Sequence, residues 1–486
     1  MTDADAAPVP SPVPSPVPTP GPSLQAPAAA SPPPSAGAVD ESALRARVRA
    51  GWPQAREDLA ALVRIPGVSN PAFDAAEVAR SAEAVADLLR GVLPDVRILT
   101  ATRADGLVSR PAVVARRPAP DGAPTVLLYA HHDVQPPGAE SVWQTSPFEP
   151  TERDGRLYGR GAADDKAGVI AHVAALRALG EDLRVGVTVF VEGEEEVGSP
   201  TFGDFLREHR DVLAADLVVL ADSVNWKVGV PAFTTSLRGL VDCDVEVAVL
   251  EHALHSGMYG GPVLDATTLL VRLLATLHDE AGDVAVAGLV EAPEPTVDYD
   301  EGDFRADAAL LPGTALAGTG SIAARLWTKP ALSVIGIDAT SVAHASNTLA
   351  PSARAKISLR IAPGQEPAEA MVALRAHLES HAPFGARVTV TDGELGRPWA
   401  GTADSPLAQV ARAAYSDAWG TEVVDVGLGG SIPLVADLLE VFPEATVLVT
   451  GVEDPDSRAH SENESVHLAE LEKAVLAEAL LLNRLA

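Results

Sequence analysis

The chain lacks the features that mark a secreted or membrane protein. Its single cysteine, Cys243, cannot form a disulfide within the chain, which fits a reducing cytoplasm. No apolar run reaches the roughly 20 residues that a transmembrane helix needs. The first residues show no basic segment followed by an apolar one, so no secretory signal is expected. We therefore predict a cytoplasmic protein without membrane spans.

Basic residues are also scarce. The chain has 36 Lys and Arg against 67 Asp and Glu, which gives a formal net charge of −31. Such a surface repels phosphate backbones and anionic lipids. The composition therefore argues against nucleic acid or membrane partners, although the charge itself is also explained by solubility alone. With 486 residues, 47% of them apolar, the chain is long enough for more than one domain.

Proline is concentrated at the start of the chain, where 12 of the 40 prolines precede residue 39. Proline fixes φ and has no amide hydrogen to donate, so this stretch cannot build a helix or a central strand. We predict a disordered tail over residues 1–40. A docking role for its proline motifs is an alternative to an inert tail.

Beyond the tail, short apolar runs alternate with helical periodicity. Each run leads into a polar or charged segment; the runs lie at 126–129, 187–191, 217–220 and 446–449. Continuous apolar runs between helices are typical of parallel sheets that are covered on both faces. The predicted fold class is therefore α/β, with a mostly parallel sheet and helices on both faces.

The middle of the chain has a different pattern. Residues 241–250 and 355–361 alternate with period two, as strands with one wet face do, and a helical stretch follows each. This predicts a smaller α+β domain inserted into the larger one. We expect a catalytic domain in two parts, 41–238 and 399–486, and an inserted domain at 239–398.

The polar segments that follow the apolar runs are candidates for chemistry, because ligands of open α/β sheets bind beyond the carboxyl ends of the strands. In AHHDVQP, His131 and Asp133 lie two residues apart and so point to the same side of an extended segment. The imidazole suits a metal, and the carboxylate suits its support. His132 would point to the opposite side. An ordinary surface loop is the alternative reading.

Asp164 and Asp165 directly precede an amphipathic helix. Helix capping explains such residues equally well. A carboxylate here would alternatively bridge two cations, since each of its oxygens can bind one at about 2.0–2.2 Å.

The run EGEEEVGS contains four glutamates within five residues after an apolar strand. Their mutual repulsion disfavours this arrangement unless cations neutralise it, although a solvated charge run is the alternative. Asp222 and His460 are single residues after further strands. Two metal ions that share one bridging ligand and bind two further ligands each need five protein groups. The sequence offers five, together with a free carboxylate as general base.

Eight strings closely resemble, in order, the carnosinase-like dipeptidase branch of the aminoacylase and carboxypeptidase G family of dinuclear zinc peptidases. They are AHHDVQP, GRGAADDKAG, EGEEEVGS, the Asp of LADS, HSGMYGG, LRIAPGQ, GGSIP and AHSENE. The resemblance extends from about Glu41 to the C-terminus. It implies a metallopeptidase that cleaves dipeptides or other small peptides with a free carboxylate, with a lid and dimerisation domain as the insertion.

The resemblance implies a role for each matched residue. His131 and Asp222 would bind one zinc ion, Glu196 and His460 would bind the other, and Asp164 would bridge them. Glu195 would be the general base, with Asp133 supporting His131. Manganese and cobalt suit the same nitrogen and oxygen ligands.

Four further residues would contact the substrate. The resemblance implies that His255 reaches the active site of a neighbouring subunit in a homodimer and polarises the scissile carbonyl. Arg360 would clamp a substrate carboxylate, a task that suits a planar guanidinium. Gly430 and Ser431 would line the same pocket.

Two departures from the family pattern are visible. Ala130 replaces a common glycine, a change expected to be harmless. Gly427-Leu428 stands where relatives commonly have Arg-Glu, which removes two charges near the expected pocket. An N-acyl-amino-acid deacylase or a carboxypeptidase of the same chemistry is therefore an alternative. A non-catalytic binding protein on this fold is a more remote one.

Overall fold

The computed structural model of the chain describes residues 39–401, 405–430 and 433–486. Nearly all of the predicted tail lies outside the described residues. The described strands are β1 (Asp95–Leu99), β2 (Ala112–Arg117), β3 (Thr125–His131), β4 (Thr151–Arg153), β5 (Arg156–Tyr158), β6 (Gly186–Glu192), β7 (Leu217–Leu220), β8 (Ala232–Leu237), β9 (Gly239–Ala248), β10 (Leu254–His255), β11 (Ala331–Asp338), β12 (Thr348–Leu349), β13 (Ser352–Ile361), β14 (Arg387–Gly396), β15 (Trp399–Ala400), β16 (Val424–Leu428), β17 (Thr446–Thr450) and β18 (Ser465–His467).

The helices occupy the segments between these strands and both ends of the described chain. They are α1 (Glu41–Val63), α2 (Ala75–Arg90), α3 (Lys166–Leu179), α4 (Phe202–Glu208), α5 (Arg210–Leu213), α6 (Ser256–Tyr259), α7 (Ala266–Leu274), α8 (Glu301–Asp307), α9 (Ile322–Trp327), α10 (Pro367–Ser380), α11 (Pro406–Trp419), α12 (Pro433–Val441) and α13 (Leu468–Arg484). No helix within the described ranges is both long and apolar enough to cross a membrane.

The main sheet has the strand order β1-β2-β6-β3-β7-β17-β8-β15, and β16 pairs with β8. Its central strands, β6, β3, β7 and β17, are mutually parallel. The outer pairs, β1 with β2, β2 with β6, β17 with β8 and β8 with β15, are antiparallel. The predicted parallel sheet is thus confirmed at its centre, which is the part that carries the site.

Helices cover both faces of this sheet, as the continuous apolar runs predict. In β3, Val126 and Leu128 face a core that they share with α1, α3, α11 and α13. Leu127 and Tyr129 face the opposite core, which they share with α4 and α12. Successive strand residues point to opposite faces, so a strand buried on both sides must be apolar throughout. The α/β fold class is confirmed.

A second sheet, with the order β11-β13-β9-β14, is antiparallel throughout. One face packs against α7 and α10 around a core of its own, which includes Val241, Leu269, Ile357 and Leu374. Burial along β13 alternates residue by residue, which confirms the period-two pattern. In the sequence, the strands of this sheet lie between Gly239 and Gly396. The exact domain limits at 239 and 398 stay a prediction.

Candidate metal centre

The central strands of the main sheet place the predicted site residues at one edge, because parallel strands end together. His131 is the last residue of β3. Glu195 and Glu196 follow β6, Asp222 follows β7, and His460 lies in the loop between β17 and β18. Residues that are up to 329 positions apart in the sequence therefore converge at the carboxyl ends of neighbouring strands.

Asp164 lies between the two histidines. Its Oδ1 is 2.9 Å from Nε2 of His131, and its Oδ2 is 2.9 Å from Nε2 of His460. Each carboxylate oxygen thus faces a different imidazole, and this is the arrangement that a ligand shared by two cations needs. Asp164 is 6% exposed and His131 is fully buried.

The remaining predicted ligands complete two groups around this bridge. One group contains His131, Glu195 and Asp222, and the other contains Asp164, Glu196 and His460; within each, the ligand atoms lie within 4.8 Å of one another. Nε2 of His131 is 3.9 Å from Oδ2 of Asp222, and Nε2 of His460 is 3.2 Å from Oε2 of Glu196. All five predicted ligands and the predicted base are therefore gathered at one place.

Asp133 ties the histidine strand to the glutamate pair. Its carboxylate accepts hydrogen bonds from the backbone N–H groups of Glu195 (3.3 Å) and Glu196 (3.1 Å). Its Oδ1 is also 3.5 Å from Nδ1 of His131, and its carbonyl oxygen is 3.1 Å from the same nitrogen. Such contacts favour a proton on Nδ1 and leave Nε2 free for a cation. His132 points away, towards the carbonyl oxygen of Pro111.

Of the two neighbouring aspartates, Asp165 caps the helix and Asp164 faces the histidines. Oδ1 of Asp165 accepts the N–H of Gly168 at the start of α3, so Asp165 is the cap. Its Oδ2 accepts the N–H of His131 at 3.2 Å. Asp164, one residue earlier, is left to face the two histidines.

The electrostatics of this pocket favour bound cations. Burial raises the pKa of Glu195 and that of Glu196 to about 7, and it raises the pKa of Asp222 to about 6. The adjacent carboxylates of Asp164 and Glu196 raise the pKa of His460 to about 11. So many carboxylates in one pocket repel one another unless protons or cations neutralise them.

One buried atom supports the fit of a cation directly. Oε1 of Glu196 accepts the backbone N–H of Gln135 at 2.9 Å, whereas its buried Oε2 has no well-aligned hydrogen-bond donor, although Nε2 of His460 lies 3.2 Å away. A buried carboxylate oxygen without a well-aligned donor is costly. This oxygen points towards His460 within the second group, where a cation would satisfy it.

The predicted substrate residues belong to other segments of the chain than these ligands. His255 is exposed at the end of β10, where its Nδ1 accepts the N–H of Gly257. Within the described residues, no hydrogen bond or ion pair joins His255 to the predicted metal ligands. Gly430 borders open space. Ser431 lies outside the described residues.

Arg360 lies on β13 in the second sheet, near a second arginine that the sequence analysis did not identify. This residue, Arg238, is buried and donates to the carbonyl oxygens of Gly429 (3.3 Å), Arg325 (3.2 Å) and Lys329 (3.3 Å). Burial, followed by the charge of Arg360, lowers the pKa of Arg238 to about 10. Neither guanidinium pairs with a carboxylate of the described residues.

The structure gives a physical reason for the glycine at position 427. A Cβ atom there would lie 2.5 Å from Cβ of Trp327 and 2.8 Å from Oγ of Ser236. No side chain fits in that space without displacing Trp327. The departure from the usual Arg-Glu pair therefore accompanies an indole packed against the backbone of β16.

Comparison with known sequences identifies similar proteins. A profile described as Peptidase family M20/M25/M40 matches residues 127–484. A cysteinylglycine-S-conjugate dipeptidase of Corynebacterium striatum is 38% identical over 364 residues, which is 74% of this chain and 80% of that protein. The Beta-Ala-His dipeptidase of Homo sapiens is 30% identical over 363 residues, 71% of each protein.

Comparison with solved structures finds the same architecture. The crystal structure of human carnosine dipeptidase 1 superposes with a TM-score of 0.72 at 26% identity, covering 93% of this chain and all of that one. The dipeptidase Dug1p of Saccharomyces cerevisiae superposes with a TM-score of 0.71, covering 92% of this chain and 98% of that one. At 21% identity, the second likeness is one of fold.

Proposed function

The chain belongs to peptidase family M20/M25/M40, and from that premise we propose that it is a dipeptidase that uses two divalent cations. The resemblance read from the motifs is confirmed by this membership, and so is the assignment to the metallopeptidases. The observation that carries the proposal is Asp164, whose two carboxylate oxygens each face a histidine of a different ligand group at 2.9 Å.

The ligand roles follow from the two groups. We propose that His131 and Asp222 hold one cation, that Glu196 and His460 hold the other, and that Asp164 contacts both. Imidazole and carboxylate donors suit zinc, and they also suit manganese or cobalt. When bound, such a pair of cations polarises a carbonyl and lowers the pKa of water.

Glu195 is the proposed general base. Its carboxylate lies beside His131 and Asp222 but is not needed as one of the five ligands. It takes a proton from the attacking water and delivers it to the leaving nitrogen, so the amide bond breaks and a carboxylate and an amine form. Asp133 holds the backbone of Glu195 in place through the hydrogen bond at its N–H.

Dipeptides are the proposed substrates because the relatives described above are dipeptidases. An assay of the zinc-loaded protein against dipeptides and N-acyl amino acids tests this. We expect kcat/KM for the best dipeptide to exceed that for any N-acyl amino acid by at least about tenfold, or about 1.4 kcal/mol. A preference for N-acyl amino acids would instead favour the deacylase alternative.

Arg360 is the proposed clamp for the substrate carboxylate, with Gly430 and Ser431 in the same pocket. Neither Arg360 nor Arg238 has an acidic partner among the described residues, and this supports the role. We expect Arg360→Ala to lower kcat/KM by about 10- to 100-fold for dipeptides with a free carboxylate, since a charged hydrogen bond contributes roughly 1.5–3 kcal/mol. C-terminally amidated dipeptides should lose much less.

Arg354 provides a matched control for that measurement. It lies on the same strand as Arg360, is exposed, and pairs with Asp338. Arg354→Ala should leave both classes of substrate unaffected. Equal losses on free and amidated dipeptides in Arg360→Ala would rule out the clamp.

A homodimer is proposed on two exposed features. The short helix α6, directly after His255, exposes Met258 (73%) and Tyr259 (46%). The edge strand β11 exposes Val334, Ile335 and Ile337. An exposed apolar edge strand and an exposed apolar patch are surfaces on which another chain can pack. We propose that a second copy covers them and receives His255 at its active site.

Mixing two inactive variants tests the reach of His255. If His255 acts across the dimer, His255→Ala and Glu195→Gln subunits should form hybrids with one intact site. Unfolding and refolding the mixture should then restore about a quarter of the wild-type activity, as random pairing of a symmetric dimer predicts. A mixture that stays inactive while hybrids demonstrably form would refute the arrangement.

A cytoplasmic location is also proposed. Cys243, the single cysteine, is free and buried, which suits a reducing compartment. Because the net charge of −31 disfavours polyanions, we propose that small peptides are bound and nucleic acids are not.

A further inference from the structure

A buried ion pair contacts the segments that carry the candidate metal ligands. Nη1 of Arg160 donates to Oε2 of Glu464 at 2.6 Å, and the two residues are 1% and 0% exposed. The guanidinium also lies 5.5 Å from the ring of Trp143. Neither residue is a candidate ligand, and burying two charges is costly unless hydrogen bonds satisfy them.

Glu464 accepts hydrogen bonds from the backbone of the loop that carries Asp164. Its Oε1 accepts the N–H of Ala163 at 3.0 Å and that of Asp164 itself at 3.1 Å. Its Oε2 accepts the N–H of Gly161 at 3.0 Å. With Arg160, four donors converge on one carboxylate, which leaves that loop little freedom to shift.

Arg160 connects the same loop to the two segments that carry the histidines. Its Nη2 donates to the carbonyl oxygen of Ser461, the residue after His460, at 3.2 Å. The same nitrogen is 3.5 Å from the carbonyl oxygen of Pro136, in the segment that follows His131. Glu464 itself lies four residues after His460. The pair therefore contacts all three segments whose side chains meet at Asp164.

We propose that Arg160 and Glu464 are positioning residues that set the spacing of His131, Asp164 and His460 for the binding of two cations. The inference rests on the proposed function. His131 is held by the ladder of β3, whereas Asp164 and His460 lie in loops outside the strands and helices. A fully buried carboxylate with four donors supplies the missing constraint, in the way that outer groups orient metal ligands in other proteins.

Zinc affinity of the metal-free protein tests the inference without any measurement of activity. In Glu464→Gln an amide nitrogen replaces one acceptor oxygen and faces N–H donors. The hydrogen bonds that hold the Asp164 loop are therefore weakened. Competition of Zn²⁺ with a chelator should show at least about a tenfold loss of affinity, within the range seen when an outer partner of a ligand is removed.

Glu470 offers a closely matched control. It is also buried, and it accepts hydrogen bonds from a backbone N–H (Gly229, 3.0 Å), a cation (Lys473, 2.7 Å) and the indole of Trp419 (2.7 Å). None of these donors belongs to a ligand segment. Glu470→Gln should therefore lower thermal stability and leave zinc affinity unchanged.

The outcomes separate the two ideas. If the wild-type protein binds no zinc, the proposed function fails and this inference fails with it. If the wild type binds two ions and Glu464→Gln binds them equally well, only the inference is overturned. The inference is also overturned if Glu470→Gln loses as much zinc affinity as Glu464→Gln. Should Glu464→Gln not fold, Arg160→Lys decides. This variant keeps the positive charge but lacks the nitrogen, Nη2, that contacts the carbonyl oxygens of Ser461 and Pro136. Unchanged zinc affinity of Arg160→Lys would therefore also overturn the inference.

Discussion

Glu195→Gln is expected to retain its metal ions and to lose at least about a hundredfold in kcat, the usual contribution of a general acid–base group. The amide has nearly the shape of the carboxylate but cannot accept a proton from water. Glu195 lies with His131 and Asp222 in one group, so the variant removes the proposed base and none of the five ligands. Single-turnover kinetics on a dipeptide, together with metal analysis, would measure both effects.

Glu194 is the natural control, because it is the adjacent glutamate and is itself buried. Its Oε2 accepts the N–H of Arg110 at 2.9 Å, and its Oε1 accepts the N–H of Thr201 at 3.1 Å. It therefore stabilises its own loop and points away from the metal centre. Glu194→Gln should retain most of the activity. Near-normal turnover of Glu195→Gln would remove Glu195 from the mechanism.

Asp164→Ala is expected to have an even larger effect. The proposed bridge is the one group whose oxygens face both histidines, so its removal disturbs both cation sites and leaves His131 without its 2.9 Å partner. We expect the variant to lose at least one ion per chain and at least about a thousandfold in kcat/KM. A loss of this size corresponds to the several kcal/mol that metal ions contribute to such reactions.

Metal analysis and kinetics on the same preparation make that result interpretable. Loss of activity with two ions still bound would mean that Asp164 is not the bridge. Partial activity that returns with excess Zn²⁺ would agree with a weakened second site. Comparison of the metal-loaded wild type at the same free Zn²⁺ concentration supplies the reference.

The centre of the fold was predictable because its strands have a local signature. A strand such as β6, which is buried along its entire length, must be apolar throughout, and the sequence shows this directly. The antiparallel outer strands have no such mark. Nothing in the local sequence of β1 or β8 says which neighbour it pairs with, because pairing depends on segments far away in the chain.

The candidate site divides in a similar way. His131, Asp164 and Glu196 were predictable because each lies in a polar segment next to an apolar strand or helix, and the resemblance supplied their order. Arg160, Glu464 and Arg238 were not identified, because their partners are mainly backbone N–H and C=O groups. Such partners have no side-chain type that a sequence pattern can record. Glu464 in particular is one glutamate of the charged run SENE.

The count of bound ions tests the central claim most directly. The protein should be stripped with a chelator, reloaded with Zn²⁺, freed of excess metal and analysed for metal per chain. The two ligand groups predict about two ions in the wild type and fewer in Asp164→Ala. A folded wild-type protein that retains no zinc, or that retains as much after Asp164 is removed, would contradict the account.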